Sequence, residues 1–178
     1  ESLGRFYKLS LEDIREDCTV KEELEHLECY LQILKMRYQS RLTYRIQEDP
    51  QVLDCQIVRF SLQPLVENAV YHGVKQKRGQ GKIVISAIRR ENTVEISVYD
   101  NGAGISPERL EKLRASLTEP IDLNRSEHLG VNNVHQRLQS SYGPEYGLSI
   151  ESMEGEYTLV VVRIPFYPEN RQEGGGHV

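Results

Sequence analysis

The polar side chains of one short segment, residues 61–73, are of types that bind ligands. Apolar residues recur there at i, i+3, i+4, i+7 and i+8, the stripe of an α-helix that packs on a core. They are Leu62, Leu65, Val66, Ala69 and Val70. Away from this stripe lie Glu67, Asn68, Tyr71 and His72, and the four-residue spacing makes Asn68 and His72 neighbours. A carboxylate, an amide and an imidazole beside a buried seam predict a binding site, although the helix alone is equally compatible with an ordinary core element.

The same segment carries signals for where its helix begins and ends. Ser61 has a side chain preferred at the N-cap. Pro64 falls within the first four helical residues, where its missing N–H leaves no hydrogen bond unmade. Gly73 suits the position after the last helical residue. The sequence therefore predicts a helix bounded by Ser61 and Gly73.

A carboxylate at the end of a strand is the second candidate. Residues 93–99 alternate as a half-buried strand, and continuing the alternation places Asp100 on the buried side. The apolar members of this alternation are Val94, Ile96 and Val98. A carboxylate in an apolar layer is costly unless a group donates a hydrogen bond to it. Gly102 and Gly104 follow, where the backbone can turn sharply or approach a ligand. This arrangement predicts an acceptor for the exocyclic amine of a purine.

Two motifs formed by these residues resemble those of a known fold. Residues 67–69 (Glu-Asn-Ala) resemble the N-box, and residues 100–104 (Asp-Asn-Gly-Ala-Gly) the G1-box, of the GHKL ATP-binding fold shared by histidine kinases, gyrase-type ATPases and Hsp90-type chaperones. A narrower likeness, to the YesM/LytS-type sensor histidine kinases of bacteria, is carried by residues 22–38, 62–69 and 129–138. It extends from about residue 3 to Pro165, and its motifs stand in the right order and spacing.

The resemblance implies a site for ATP and Mg²⁺. Asp100 would accept a hydrogen bond from the adenine amine, and Gly102 and Gly104 would permit close approach beneath the base and ribose. Asn68 offers an amide oxygen, a suitable hard ligand for Mg²⁺, which takes few protein ligands together with phosphate oxygens and water. Phosphoryl transfer depends on positioning and charge neutralisation, so it requires no covalent nucleophile in this domain.

Further residues follow from the resemblance on the phosphate side. Tyr71 and His72 would lie along the same wall and touch phosphate or ribose. Gly130 precedes a helix whose N-terminal amides and dipole can face the phosphates, and Asn133 belongs to the same ATP-binding group. Glu67 is the candidate catalytic residue, with no specific role assigned.

Two positions depart from the GHKL pattern. The usual G2-box has Gly-x-Gly, but His128 occupies its first position, so only Gly130 carries over. Hydrolysing relatives place a basic carboxylate one helical turn before the Asn, and here that position is Pro64. Glu67 points about 100° away around the helix. We therefore predict weak hydrolysis of ATP by water.

None of the five histidines lies in the family's acceptor context, which resembles Asn-Pro-His-Phe. They are His26, His72, His128, His135 and His177. His26 is expected to be a solvated or packing residue of its helix. The phosphoacceptor is therefore expected upstream of this chain, which should bind nucleotide without labelling itself.

Composition excludes several classes of protein. The 178 residues carry a net charge of −5 with both signs mixed throughout, so no basic stripe indicates nucleic acid. Apolar runs are only strand-sized, so no membrane span and no membrane contact are expected. Cys18, Cys29 and Cys55 lack metal or redox spacing and are expected to be reduced, as in the cytosol.

The chain opens on Glu1-Ser-Leu, which we interpret as part of a longer protein. By resemblance this protein is a bacterial inner-membrane receptor kinase with this part in the cytoplasm. The implied partners are the phosphoacceptor domain of its own chain or dimer mate and a response regulator, and the parent is expected to be a homodimer.

Periodicity and turn residues predict the remaining elements. Besides residues 61–73, helices are predicted over residues 19–38, 106–117 and 131–142, and strands over 41–46, 82–89, 93–100, 147–152 and 157–165. The first helix opens with a capping box of Thr19 and Glu22, and its seam suits either a partner helix or, more readily, the chain's own core. Residues 74–82 are expected to form a solvated turn more readily than a phosphate contact.

Three regions are predicted. Residues 1–18 look helical and by resemblance end the dimerisation and phosphoacceptor region. Residues 19–168 form the catalytic domain, with residues 118–128 as a mobile lid, and residues 169–178 form a flexible tail. The interleaved elements predict a two-layer α/β sandwich, with helices on one face of a mixed, mainly antiparallel sheet.

Three functions compete at this point. The first is the ATP-binding catalytic domain of a sensor histidine kinase. The second is an anti-sigma-factor-type serine protein kinase of the same fold, which residues 1–38 disfavour because they read as the continuation of a dimerisation element. The third is a non-catalytic association module, which intact Asn68, Asp100 and Gly102 disfavour. Titration with a magnesium nucleotide would separate the third from the others.

Overall fold

The structure is a computed structural model that describes residues 17–74, 79–118 and 129–167, with the backbone alone at 72–74 and 129. Residues 1–16 of the helix predicted over residues 1–18, residues 119–128 of the predicted lid and the predicted tail lie outside these residues. Thr118, predicted to begin the lid, is instead the last residue of a helix. In chain order the strands are β1 (Asp17–Thr19), β2 (Leu42–Glu48), β3 (Gln56–Val58), β4 (Gly81–Arg90), β5 (Thr93–Asp100), β6 (Gly147–Met153) and β7 (Tyr157–Pro165). The α-helices are α1 (Val20–Tyr38), α2 (Gln63–Asn68), α3 (Pro107–Thr118) and α4 (Leu129–Tyr142).

Five strands form the main sheet in the order β2-β4-β5-β7-β6. Only β2 and β4 are parallel, and every other neighbouring pair is antiparallel. Along the central strand β5, burial alternates as predicted, because the helices cover one face of the sheet. The predicted mixed, mainly antiparallel sandwich is confirmed.

Helix α1 begins at the predicted capping box. The Glu22 amide donates to Thr19 Oγ1 at 3.1 Å, and the Thr19 amide donates back to Glu22 Oε2 at 2.8 Å. The apolar seam of α1 is buried in the chain's own core from Val20 to Leu34. The seam therefore packs on the chain's own core, as was expected more readily than packing on a partner helix.

Several predicted boundaries are wrong. Asp17 and Cys18 lie in β1 rather than in a helix, because β1 pairs with β3 in a separate two-stranded sheet. Ser61 is not the N-cap, since α2 begins at Gln63 after Leu62, and the Ser61 hydroxyl donates to the Val58 carbonyl at 2.6 Å. Three-residue strands and a one-residue shift of a helix start leave no periodic signal in a sequence.

The end of the central helix also differs from the prediction. A π-helix covers Ala69–Val74 directly after α2, so Gly73 lies inside a helical turn rather than after it. The predicted stripe is nevertheless fully buried. Its members are Leu62, Leu65, Val66, Ala69 and Val70. Pro64 stands in the first turn as predicted.

Candidate nucleotide site

The candidate site lies where the π-helix packs on the sheet. Residues 69–74 contact β4 and β5, so the turn that follows Asn68 rests on the strand that ends in Asp100. In a π-helix the backbone bonds run from i to i+5 rather than i+4. Asn68 and His72 were expected to be neighbours because residues four apart lie on the same face of an α-helix. In a π-helical turn that spacing no longer applies. Single-turn π segments are frequent at functional sites.

Asp100 is buried, as the alternation predicted, with 4% of its surface exposed. It stands between Ile83 of β4 and Thr158 of β7. The Gly102 amide donates to Asp100 Oδ1 at 2.8 Å. The donor that a carboxylate in an apolar layer requires is therefore supplied by the first glycine of the motif.

Asn101 lies beside Asp100 in the candidate site, and sequence reasoning did not identify it. Its Oδ1 accepts a hydrogen bond from the Lys82 amide at 2.6 Å, and its own amide donates to the Lys82 carbonyl at 3.1 Å. These bonds tie the end of β5 to the start of β4, the strand that follows the π-helix. Asn101 thus fixes the backbone beside Asp100, and an Asn after a strand end was the available signal.

Gly104 has a packing role that the sequence did not reveal. Its φ is +63°, and a Cβ built on it would lie 2.0 Å from the Met153 carbonyl oxygen. The loop is held against the β6–β7 turn by the Gly155 amide, which donates to the Ala103 carbonyl at 2.6 Å. The close approach that Gly104 permits in this structure is therefore to the chain itself.

The polar residues around the end of α2 differ in exposure. Asn68 is half-buried, whereas Glu67 and Tyr71 are exposed. Glu67 Oε1 accepts a hydrogen bond from Gln63 Nε2 at 2.8 Å along the helix surface. The side chain of His72 lies outside the described residues. Asn68 is thus the member of the set placed beside the buried seam.

Helix α4 brings its first turn against α2. It begins at Leu129, so Gly130 lies within the first helical turn rather than before it. A Cβ at Gly130 would meet only Pro64 Cβ, at 3.9 Å. Gly130 and Asn133 are both exposed. The residues of α4 predicted to point inward, Val131, Val134 and Leu138, are buried.

Two described histidine side chains are buried. His26 packs edge-on against Phe60, with ring centroids 5.1 Å apart. Of the two roles expected for His26, solvated or packing, it therefore has the packing role. His135 Nδ1 accepts a hydrogen bond from the Leu148 amide at 2.9 Å. Burial lowers the pKa of both imidazoles, so both are neutral at pH 7. His135 also lines an open groove of about 540 Å³, which includes no predicted site residue.

The described part of the chain has neither a cluster of metal-ligating side chains nor a helix that could span a membrane. No group of three or more His, Cys, Asp and Glu side chains there could hold a metal ion. Among the same residues, no helix is both long and apolar enough to cross a membrane. The three cysteines are free and buried.

The sheet, the buried acid with its glycine loop, and the Asn-bearing helix define a nucleotide-binding domain of the GHKL type. A family model described as "Histidine kinase-, DNA gyrase B-, and HSP90-like ATPase" matches residues 57–168, and the chain belongs to this family. A second model, "Histidine kinase", matches residues 1–42. Within the family the chain is the catalytic domain of a LytS-type sensor histidine kinase, and the serine-kinase and non-catalytic alternatives are not favoured.

Curated relatives agree along nearly the whole chain. Sensor histidine kinase BtsS of Escherichia coli (strain K12) is 34% identical over 167 residues, covering 94% of this chain and 27% of the relative. Sensor protein LytS of Oceanobacillus iheyensis is 33% identical over 156 residues, covering 85% of this chain and 26% of the relative. The chain therefore spans about a quarter of the length of these relatives.

Solved structures share the fold. The catalytic domain of histidine kinase ThkA superposes with a TM-score of 0.61 at 18% identity, covering 86% of this chain and 100% of that one. The Acinetobacter baumannii histidine kinase AdeS gives 0.57 at 16% identity, covering 93% and 75%. At these identities the likeness supports the fold alone.

Proposed function

We propose that this domain binds ATP with Mg²⁺ between Asp100 and the helix that carries Asn68, and transfers the γ-phosphate to a histidine upstream in its own chain or in a dimer mate. A response regulator then receives the phosphate. The parent is proposed to be a homodimeric membrane receptor with this domain in the cytoplasm. Relatives named as sensor kinases that are about four times longer support this larger arrangement.

The observation that carries the proposal is the buried carboxylate of Asp100. One oxygen is held by the Gly102 amide, and the strand that ends in Asp100 contacts the π-helical turn that directly follows Asn68. A carboxylate oxygen fixed in position suits the exocyclic amine of adenine, because hydrogen bonds to charged groups are stronger than neutral ones. We assign base recognition to Asp100, with Gly102 and Gly104 shaping the backbone around it.

The amide oxygen of Asn68 is of the type that binds Mg²⁺. This ion binds few protein oxygens and retains water and phosphate ligands, so the half-buried amide of Asn68 is a sufficient anchor. When bound, the ion neutralises charge on the transferring phosphate. Asn68 would orient it from the helix surface above the sheet.

The remaining predicted residues are assigned to the phosphate side. The first turn of α4 presents backbone amides at Gly130, where a helix dipole favours anions. Tyr71, His72 and Asn133 are proposed as additional ribose or phosphate contacts. Glu67 is exposed and engaged with Gln63, so we propose a surface role and not that of a base.

Nucleotide titration of Asp100→Asn and Asn68→Ala tests the proposal. Removing the charged acceptor at Asp100 should weaken binding of Mg–ATP and of ATP in EDTA by about 10- to 100-fold, since a charged hydrogen bond contributes about 1.5–3 kcal/mol. Asn68→Ala should weaken only the Mg²⁺-dependent binding. Isothermal titration calorimetry of the whole chain measures both.

Asp54→Asn is the matched control, because Asp54 is an exposed carboxylate. It should bind Mg–ATP as the wild type does. Equal affinity of Asp100→Asn and wild type would refute the adenine assignment. Failure of the wild type to bind Mg–ATP would instead support a non-catalytic module.

A further inference from the structure

Glu23 of α1 is a buried carboxylate with no part in the proposed chemistry. It is 2% exposed and reaches a turn 37 residues further along the chain. Its Oε2 accepts from the Phe60 amide at 3.0 Å, and its Oε1 accepts from the Leu62 amide at 2.9 Å. The Cys18 thiol donates to Oε2 at 3.7 Å. Burial raises the pKa of Glu23 although these donors oppose the shift, so placing a carboxylate here is costly.

The turn that Glu23 holds leads directly into the Asn68 helix. Phe60 has a φ of +59°, a left-handed conformation that a bulky residue keeps only where its surroundings impose it. Leu62 is the residue before the first residue of α2, so its amide is one of the unpaired donors at the helix start. Glu23 therefore fixes both the strained residue and the starting point of the helix.

The opposite side of the turn is held by α4. Arg137 Nη2 donates to the Arg59 carbonyl at 2.9 Å, one residue before Phe60. On the side of α1, the Val20 amide donates to the Cys55 carbonyl at 2.8 Å, which anchors the start of α1 beside β3. The turn is thus held between α1 and α4, and Glu23 bonds two of its backbone amides.

We propose that Glu23 is a positioning residue for the magnesium nucleotide: by holding the Phe60 and Leu62 amides it sets the position of α2 and hence of Asn68. The inference rests on the proposed function, because it assigns Asn68 to Mg²⁺. Asp100 lies on β5, which Glu23 does not contact through a described hydrogen bond. Loss of Glu23 should therefore affect the metal end of the nucleotide and spare the base end.

Glu23→Gln tests this separation. The amide side chain keeps one acceptor but directs an NH₂ group at a backbone N–H, so one of the two backbone bonds is lost. We expect binding of Mg–ATP to weaken about tenfold, whereas binding of ATP in EDTA changes less than about twofold. A purely structural role would leave both affinities unchanged or reduce both alike, and either result overturns the proposal.

Glu22→Gln is the matched control, because Glu22 is the neighbouring acid and caps α1 without contacting the turn. It should lower the unfolding midpoint without changing either affinity. If wild type binds Mg–ATP no more tightly than ATP in EDTA, the assignment of Asn68 fails and this inference falls with it. If wild type shows the difference and Glu23→Gln keeps it, only the role of Glu23 is refuted.

Hydrogen exchange of the wild type provides a second test that does not depend on the folding of a variant. Coupling between two sites is reciprocal, so Mg–ATP should slow exchange of the Phe60 and Leu62 amides severalfold relative to ATP in EDTA. The Gly102 amide, which is bound to Asp100, should respond equally to both ligands. Unchanged exchange at Phe60 and Leu62 would overturn the proposal.

Discussion

Gly104 and Gly155 share a left-handed backbone but differ in what surrounds them. Gly104 has a φ of +63° and no room for a side chain, because the Met153 carbonyl oxygen occupies the position of a Cβ. Gly155 has a φ of +82° and nothing within 4 Å of that position. The two glycines therefore separate the cost of backbone conformation from the cost of overlap.

Gly104→Ala should destabilise the domain by about 3 kcal/mol, combining a left-handed backbone penalty of about 1 kcal/mol with overpacking of about 2 kcal/mol. Gly155→Ala should cost only the first part. Urea unfolding followed by circular dichroism gives both free energies of unfolding. Equal midpoints for the two variants would show that the loop moves aside at no cost.

Asp100 and Glu23 show what residue patterns could and could not reveal. Strand parity placed Asp100 on the buried face, because a period of two leaves one choice once the apolar face is known. Glu23 lies among four charged residues of the first turns of α1 and looks like a solvated acid. Its burial depends on a turn 37 residues away, and no local pattern carries that information.

At the scale of elements, length decided which predictions succeeded. Long alternating strands such as β5 were predicted to within a residue or two, whereas β1 and β3 have three residues each and were missed. The π-helix at Ala69–Val74 was also missed, because over six residues its apolar spacing is close to that of an α-helix. It replaces the four-residue spacing along the backbone after Asn68 with a five-residue one.

Helix α4 offers an element-scale test at Gly130. Alanine is a better helix former, and its Cβ would meet only Pro64 at an ordinary distance, so Gly130→Ala should stabilise the fold by about 0.5 kcal/mol. If the first turn of α4 lies against the phosphates, the same methyl should weaken Mg–ATP binding severalfold. Thermal unfolding and nucleotide titration of one sample measure both effects.

The outcome separates two roles for Gly130. Higher stability with weaker binding assigns the glycine to the ligand, which is the usual relation between stability and a functional position. Higher stability with unchanged binding would remove the first turn of α4 from the proposed site. Ala115→Gly, at an exposed position of α3, is the inverse control, and it should lower stability without changing affinity.

At the scale of the whole molecule, two features of the described residues bear on whether the chain can label itself or hydrolyse ATP. The two described histidine side chains are buried, one against Phe60 and one in a hydrogen bond to β6. Pro64 stands where hydrolysing GHKL proteins carry a carboxylate, and it lies in the first turn of α2. These two histidines are therefore not accessible acceptors, and no base stands at the position of Pro64.

Incubation of the chain with γ-labelled Mg–ATP should therefore yield bound nucleotide without acid-labile phosphohistidine. Release of inorganic phosphate should be on the order of 10⁻³ s⁻¹ or slower, the range of a phosphoryl-transfer site that lacks full catalytic machinery. Asn68→Ala should abolish the residual release if it arises at this site. Phosphate release near one per second would show that the chain carries its own base. Labelling of the wild type that is absent in Asn68→Ala would show that the chain carries its own acceptor.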